Sequence, residues 1–165
     1  MKLQFSDKTR NLTFLCLTGI IIVCLFVVNN IGNKQNKVFA EESNQFKYAL
    51  HLLSQNKVTE AEPLLKDLAD KHPDNYEVIW NYGIVQLQLK NFEQARALFQ
   101  QAQDENVTLV KNSAFLAHYG EVLYNLGDLE KARVYLEESL KFNPNEQVLN
   151  SVNNLLETIK NKDQQ

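Results

Sequence analysis

The sequence predicts an all-α chain: an α-solenoid of three helical hairpins closed by a C-terminal capping helix and preceded by an N-terminal apolar helix. Three observations predict it. An uncharged apolar run, Leu12 to Val28, stands near the start. From Gln45 onward apolar residues recur at helical spacing, broken by polar or proline-bearing stretches and nowhere by sustained strand-like alternation. One pattern then occurs three times: a small residue, Ala twelve positions later, and a large apolar residue four beyond that. The sets are Ala49, Ala61 and Leu65; Gly83, Ala95 and Phe99; Gly120, Ala132 and Leu136. An aromatic stands just before each set, at Tyr48, Tyr82 and Tyr119.

The apolar run comes first in the chain. Its seventeen residues carry no charge, and as a helix they would extend about 25 Å, at the short end of what crosses a bilayer core. Two readings stand, a retained signal-anchor and a cleaved secretory signal. Val38-Phe39-Ala40 offers small residues at a cleavage site near Ala40, yet eleven residues separate it from the run. Cys24 follows Ile-Ile-Val, a poor setting for lipidation. Lys2, Lys8 and Arg10 precede the run and Lys34 and Lys37 follow it, which puts the N-terminus inside and the remainder outside the cytoplasm. Residues 1–28 are thus a basic leader and a membrane or signal helix, and residues 29–44, polar and without period, are expected as a flexible tether to a domain over 45–165.

Charge and cysteine content narrow the function classes. Residues 41–165 carry twelve basic and nineteen acidic groups. An acidic domain without a basic stripe is a poor ligand for nucleic acid, whose affinity is mostly phosphate neutralisation. Both cysteines, Cys16 and Cys24, lie inside the apolar run, so the domain has no disulfide and no thiolate ligand. Its stability must come from packing.

The spacing of the triple pattern has a physical reading. A small residue on each of two antiparallel helices lets the backbones approach, and twelve residues finish one helix, turn, and reach the facing point on the next. The large residue one turn further fills the space between hairpins. A single hairpin cannot bury its apolar face, so successive hairpins stack. Asn91, with Gln94 as a capping box, and Asp128 stand where second helices should be capped, and Gly127 where a first helix should end. Pro73 and Pro144 mark breaks between hairpins. The first unit is less regular: Lys57 replaces the capping residue, and Pro63 predicts a late start at Thr59 with Glu62 completing a capping box. Over residues 103–112 the period slips by three residues, which predicts a longer loop or nearly one added turn on the first helix of the third unit.

These residues resemble the tetratricopeptide repeat, in units of about 42–75, 76–109 and 113–146. The third unit, LAHYGEVLYNLGDLEKARVYLEESLKFNP, matches nearly throughout, with Ser139 for the last Ala. The second departs at Gln86, where an apolar residue is usual, and at Val107 in place of Pro; the first has Ala49 for Gly and Leu68 for Ala. After Pro144 the apolar residues Val148, Leu149, Val152, Leu155, Leu156 and Ile159 recur at helical spacing, matching the family's closing helix, expected over 146–160.

No converging cluster for catalysis is legible. His51, His72 and His118 fall in different units without metal-ligand spacing, and there is no phosphate loop or nucleophile elbow. The chain therefore reads as a non-enzyme without cofactor or metal. The resemblance implies that first helices line a concave groove. It places Phe46, Leu50 and Leu53 there from the first unit, Trp80, Ile84 and Leu87 from the second, and Ala117, Glu121 and Tyr124 from the third. The family's clamp for a C-terminal carboxylate is not matched, since its positions carry Phe46, Leu50, Asn81, Ala114 and His118 and only Asn81 agrees. The expected function is a membrane-tethered adaptor or assembly factor that presents this groove, outside the cytoplasm, to a protein or peptide partner such as an amphipathic helix. The membrane is met through Leu12–Val28, and nucleic acid is not a partner. The alternative is a structural subunit that self-associates or completes a larger complex.

Overall fold

The computed structural model describes residues 7–162, so Lys2 of the expected basic flank lies outside the described residues. Every regular element among them is helical. Seven α-helices follow one another: α1 (Asp7–Ser54), α2 (Val58–Lys71), α3 (Tyr76–Gln88), α4 (Phe92–Glu105), α5 (Ser113–Asn125), α6 (Leu129–Ser139) and α7 (Glu146–Lys162). Two short 3₁₀ turns, Val107–Lys111 and Leu140–Phe142, lie between them. The chain divides into two compact units, Met1–Asn44 and Gln45–Gln165.

In the first unit the apolar side chains from Phe14 to Val28 stand exposed. This part of α1 has a window of mean hydropathy 2.5, long and apolar enough to cross a membrane by length and composition, a test that a signal sequence also passes. Residues 29–44 are helical rather than the irregular tether expected. The stretch contains no proline to stop a helix, its Lys, Gln, Ala and Glu favour one, and Gly32 costs only about 1 kcal/mol.

The second unit is the stack of hairpins. The end of α1 pairs with α2, α3 with α4 and α5 with α6, and α7 packs on α5 and α6. All members of the triple pattern meet in its core: Ala49, Ala61 and Leu65, then Ala95 and Phe99, then Ala132 and Leu136 are each fully buried. At the two glycines a side chain has no room. A Cβ on Gly83 would lie 3.0 Å from the Phe99 ring, and one on Gly120 would be closer still to Leu136. From α7, Val152 and Ile159 are fully buried and close the last hairpin.

The three hairpin turns share one device. A residue with positive φ, at Asn56, Lys90 and Gly127, ends each first helix. The next backbone N–H then donates back five residues, from Lys57 to Leu52, Asn91 to Gln86 and Asp128 to Leu123, at 2.8–3.0 Å. This is the hydrogen-bond signature of a Schellman ending. Only Gly127 announces it in sequence, because Asn and Lys are not obliged to adopt a left-handed backbone.

The capping expectations divide. Asp128 caps α6 by accepting from Lys131 N at 3.2 Å. Asn91 does not cap α4: its Nδ2 donates to Gln86 Oε1 at 2.7 Å, and Gln94 donates to the Tyr82 hydroxyl at 3.2 Å. The polar residue at position 86, unusual for the repeat, is therefore buried with its acceptor satisfied by the turn beneath it. α2 starts at Val58, not Thr59, with no side-chain cap, and carries Pro63 within it. Side-chain caps also serve the first helices α3 and α5, through Asn75 and Asn112, and the closing helix α7, where Asn145 accepts from Val148 N. The three-residue slip becomes the 3₁₀ turn Val107–Lys111, whose Leu109 folds back into the core while Val107 remains exposed.

Candidate groove on the first helices

Each first helix buries one side against its partner and leaves a stripe partly open. On α3 the half-buried positions include Tyr76, Trp80, Asn81 and Ile84; on α5 they include Ala114, His118, Glu121 and Tyr124. On the last turns of α1 they include Phe46, Leu50 and Leu53. The stripes follow from a 3.6-residue period on helices packed on one side only.

The nine expected groove residues do not all behave alike, and Ala117 is buried in the core instead. Leu87 is in the core, only 6% exposed. Trp80, Ile84 and Tyr124 are partly buried against the core of the second and third hairpins. Phe46 and Leu53 are partly buried against the core of the first hairpin. Leu50 is half-buried and belongs to neither cluster. Trp80 stands edge-on to Phe115, with ring centroids 5.6 Å apart, and its Nε1 is buried without a hydrogen-bond partner. Phe115 in turn meets Phe99 and Tyr119, and Tyr119 meets Tyr135. Trp80 is thus the half-open end of an aromatic chain through the domain, with a share in the core that its sequence position does not announce.

The α5 stripe differs in chemistry from the α3 stripe. Glu121 has no hydrogen bond or ion pair on its carboxylate among the described residues, and burial pushes its carboxyl above the ordinary carboxylate range. One turn earlier, His118 holds Nδ1 buried and unpartnered, and burial lowers the ring to about 4, so it is neutral at physiological pH. One turn later, the ammonium of Lys162 lies 4.6 Å over the Tyr124 ring centroid. Asn81, the one residue matching the carboxylate clamp, donates its Nδ2 to the Glu77 carbonyl within its own helix at 2.7 Å.

A pocket of about 320 Å³ adjoins Trp80. It lies between the start of α3, with Tyr76 and Glu77, and the Val107–Lys111 turn, with Leu109 and Lys111. The slip in repeat period was its only trace in the sequence. No group of three or more His, Cys, Asp or Glu suited to a metal ion occurs among the described residues.

Models of the tetratricopeptide repeat match residues 52–108 and 113–146, together more than half of the chain. No curated protein matches the sequence. Among solved structures, the chain is similar to the Yersinia enterocolitica type III secretion chaperone SycD in complex with a peptide of the translocator YopD. The TM-score is 0.60 at 18% identity, over 73% of this chain and 93% of that one. It is similar to the first repeat domain of Spaghetti (RPAP3) bound to the HSP90 peptide SRMEEVD, with TM-score 0.62 and 21% identity over 75% of this chain and 94% of that one. It also resembles a fifth of a mutant O-GlcNAc transferase from Thermobaculum terrenum, with TM-score 0.58 and 20% identity over 65% of this chain and 20% of that one. At these identities the likeness is one of fold.

Proposed function

The chain belongs to the tetratricopeptide-repeat family, and from that premise we propose that it is a non-enzymatic adaptor or assembly factor, tethered to a membrane, which holds a protein segment in the groove of its first helices. The observation that carries this reading is the row of half-buried side chains at Leu50, Trp80, Ile84 and Tyr124. They are apolar or aromatic, stand at equivalent faces of successive first helices, and leave surface that a partner would remove from water at about 25 cal/mol per Å². The complexes of SycD with a YopD peptide and of Spaghetti with an HSP90 peptide lend support, since the same fold holds peptides in both. The ligand differs from the latter, because the basic residues of a carboxylate clamp are not in place. The exposed apolar length of α1 supports the tether, and the bases before Leu12 support an N-terminus inside and the repeats outside the cytoplasm.

Leu50 gives a cleaner test than Trp80, whose ring also packs on Phe115. The full-length protein and its Leu50→Asp and Ile84→Asp variants are to be purified in detergent from their own cells, with bound proteins identified by mass spectrometry. A partner retained by the wild type and reduced tenfold or more by both variants, with helicity unchanged, supports the groove. Unchanged recovery of every partner rejects it. A concentration-dependent dimer lost in both variants supports the self-associating alternative. A reporter fused after Gln165 reads the topology, and cytoplasmic activity overturns the extracytoplasmic assignment.

A further inference from the structure

Glu121 is the one acidic group on the groove stripe of α5, and nothing in the described protein answers its charge. Several exposed carboxylates of the repeat domain are paired: Asp67 and Asp70 with Lys71 and Lys66, Glu93 with Arg96, and Asp128 with Lys131. Those pairs lie on exposed surface, where water would have sufficed without them. Glu121 is half-buried, where a lone charge is costly, and yet unpaired.

Its neighbours along the helix face are aromatic rings. His118, three residues before, is a neutral ring with an unpartnered buried nitrogen. Tyr124, three residues after, already carries a cation, the chain's own Lys162, over its ring. Residues three apart are neighbours on a helix, so Glu121 lies between His118 and Tyr124, one carboxylate flanked by two aromatic rings. On the neighbouring first helix, Ile84 occupies the position that Glu121 has on α5, one place after the small residue of its repeat. The stripe therefore changes from apolar at α3 to one that carries a carboxylate at α5.

Resting on the groove reading above, we propose that the partner segment carries a basic residue, arginine above all, whose cationic head is seated by the Glu121 carboxylate beside Tyr124 while its apolar residues lie against Trp80 and Ile84. Guanidinium fits this site better than ammonium. It is planar, offers five donors, stacks on an aromatic face, and is more weakly hydrated, so it gives up less on entering a half-buried site. The carboxylate then has a stated use: a group that costs stability in the free protein is satisfied when the partner arrives. It also sets the direction of the bound segment, because the basic residue must lie at the α5 end.

The probe is a phage-displayed library of random 12-residue peptides, selected on the full-length protein in detergent micelles. Selected peptides are then synthesised with each basic residue as arginine or as citrulline, its uncharged isostere. The expected result is recovery of sequences with a basic residue flanked by apolar ones. Replacing arginine by citrulline should weaken binding tenfold or more to the wild type and less than twofold to Glu121→Gln. Glu121→Gln should meanwhile be at least as stable as the wild type at pH 7, which a merely structural role for the carboxylate does not allow. The proposal is overturned if the peptides carry no basic residue, if citrulline costs the same on both proteins, or if Glu121→Gln is the less stable protein. Should the peptides bind equally to Leu50→Asp and Ile84→Asp, the groove reading itself fails; loss there without dependence on Glu121 removes only the cation.

Discussion

Gly120 lies so near Leu136 that a methyl group on its α-carbon would stand 2.7 Å from the Leu136 Cγ, and the carbonyl of Ala132, on the same helix as Leu136, would be 3.3 Å away. At the equivalent point of the second hairpin, the atoms that a Gly83 Cβ would meet belong to the edge of the Phe99 ring, at 3.0 Å. The same repeat position is thus tight in two different ways. A ring edge can tilt, whereas the branch point of a fully buried leucine has little freedom.

Gly120→Ala should therefore destabilise the domain by about 1–2 kcal/mol, since overpacking outweighs the roughly 1 kcal/mol that alanine gains as a helix former. Gly83→Ala should fall within about 1 kcal/mol of the wild type, because that gain offsets a smaller clash. Urea denaturation of the two variants orders them. Equal losses, or Gly83→Ala as the worse, would show that the Phe99 ring is the more rigid neighbour.

The Val107–Lys111 turn predicts a second contrast. Leu109 is 4% exposed and Val107 is 71% exposed, although both lie in the three-residue slip between repeats. Leu109→Ala should cost about 2–4 kcal/mol, as at a core site, and Val107→Ala less than about 0.5 kcal/mol. Limited proteolysis should leave the turn uncut in the wild type. If Leu109→Ala proves as mild as Val107→Ala, the turn is a loop lying on the core rather than a part of it.

A pH dependence follows from His118. Its folded pKa of about 4 lies below the ordinary value of 6.5, so below about pH 6.5 the unfolded chain takes up a proton that the native ring refuses. Stability should fall as pH drops from about 6.5 toward 4 and be unaffected by this group above that window. Glu121 works in the other sense. Its raised pKa means that protonation on acidification favours the native state, so it offsets part of the loss. The expected decline between pH 7 and pH 5 is about 1–2 kcal/mol, read from urea midpoints. His118→Gln should abolish most of that slope. A variant that keeps the full slope would transfer it to other groups.

The chain's order in the sequence determined the repeat, because the constraint is local and periodic. Twelve residues between facing small positions and four more to the next large one are distances along helices, and Ala61, Ala95, Ala132, Leu65, Phe99 and Leu136 reach the core as that spacing requires. The hairpin ends were legible where a residue type is nearly obligatory, as at Gly127, and hidden where it is not. Lys90 and Asn56 take a left-handed backbone because the stacked helices require the turn, and no sequence rule for Lys predicts that. The capping of α4 failed for a related reason. Asn91 instead donates its amide to the buried Gln86 acceptor, which the fold brings to the turn.

The candidate groove residues came from the resemblance to the repeat, which names positions and not their surroundings. Leu50, Trp80, Ile84, Glu121 and Tyr124 are each half-buried on their helices. Only tertiary structure decided how much of each side chain was already spent. Leu87 sits in the core, Trp80 is half committed to Phe115, and Glu121 is desolvated without receiving a partner. Burial and pairing are sums over contacts distant in the chain. Period fixes where a side chain points, and the fold decides what it meets there.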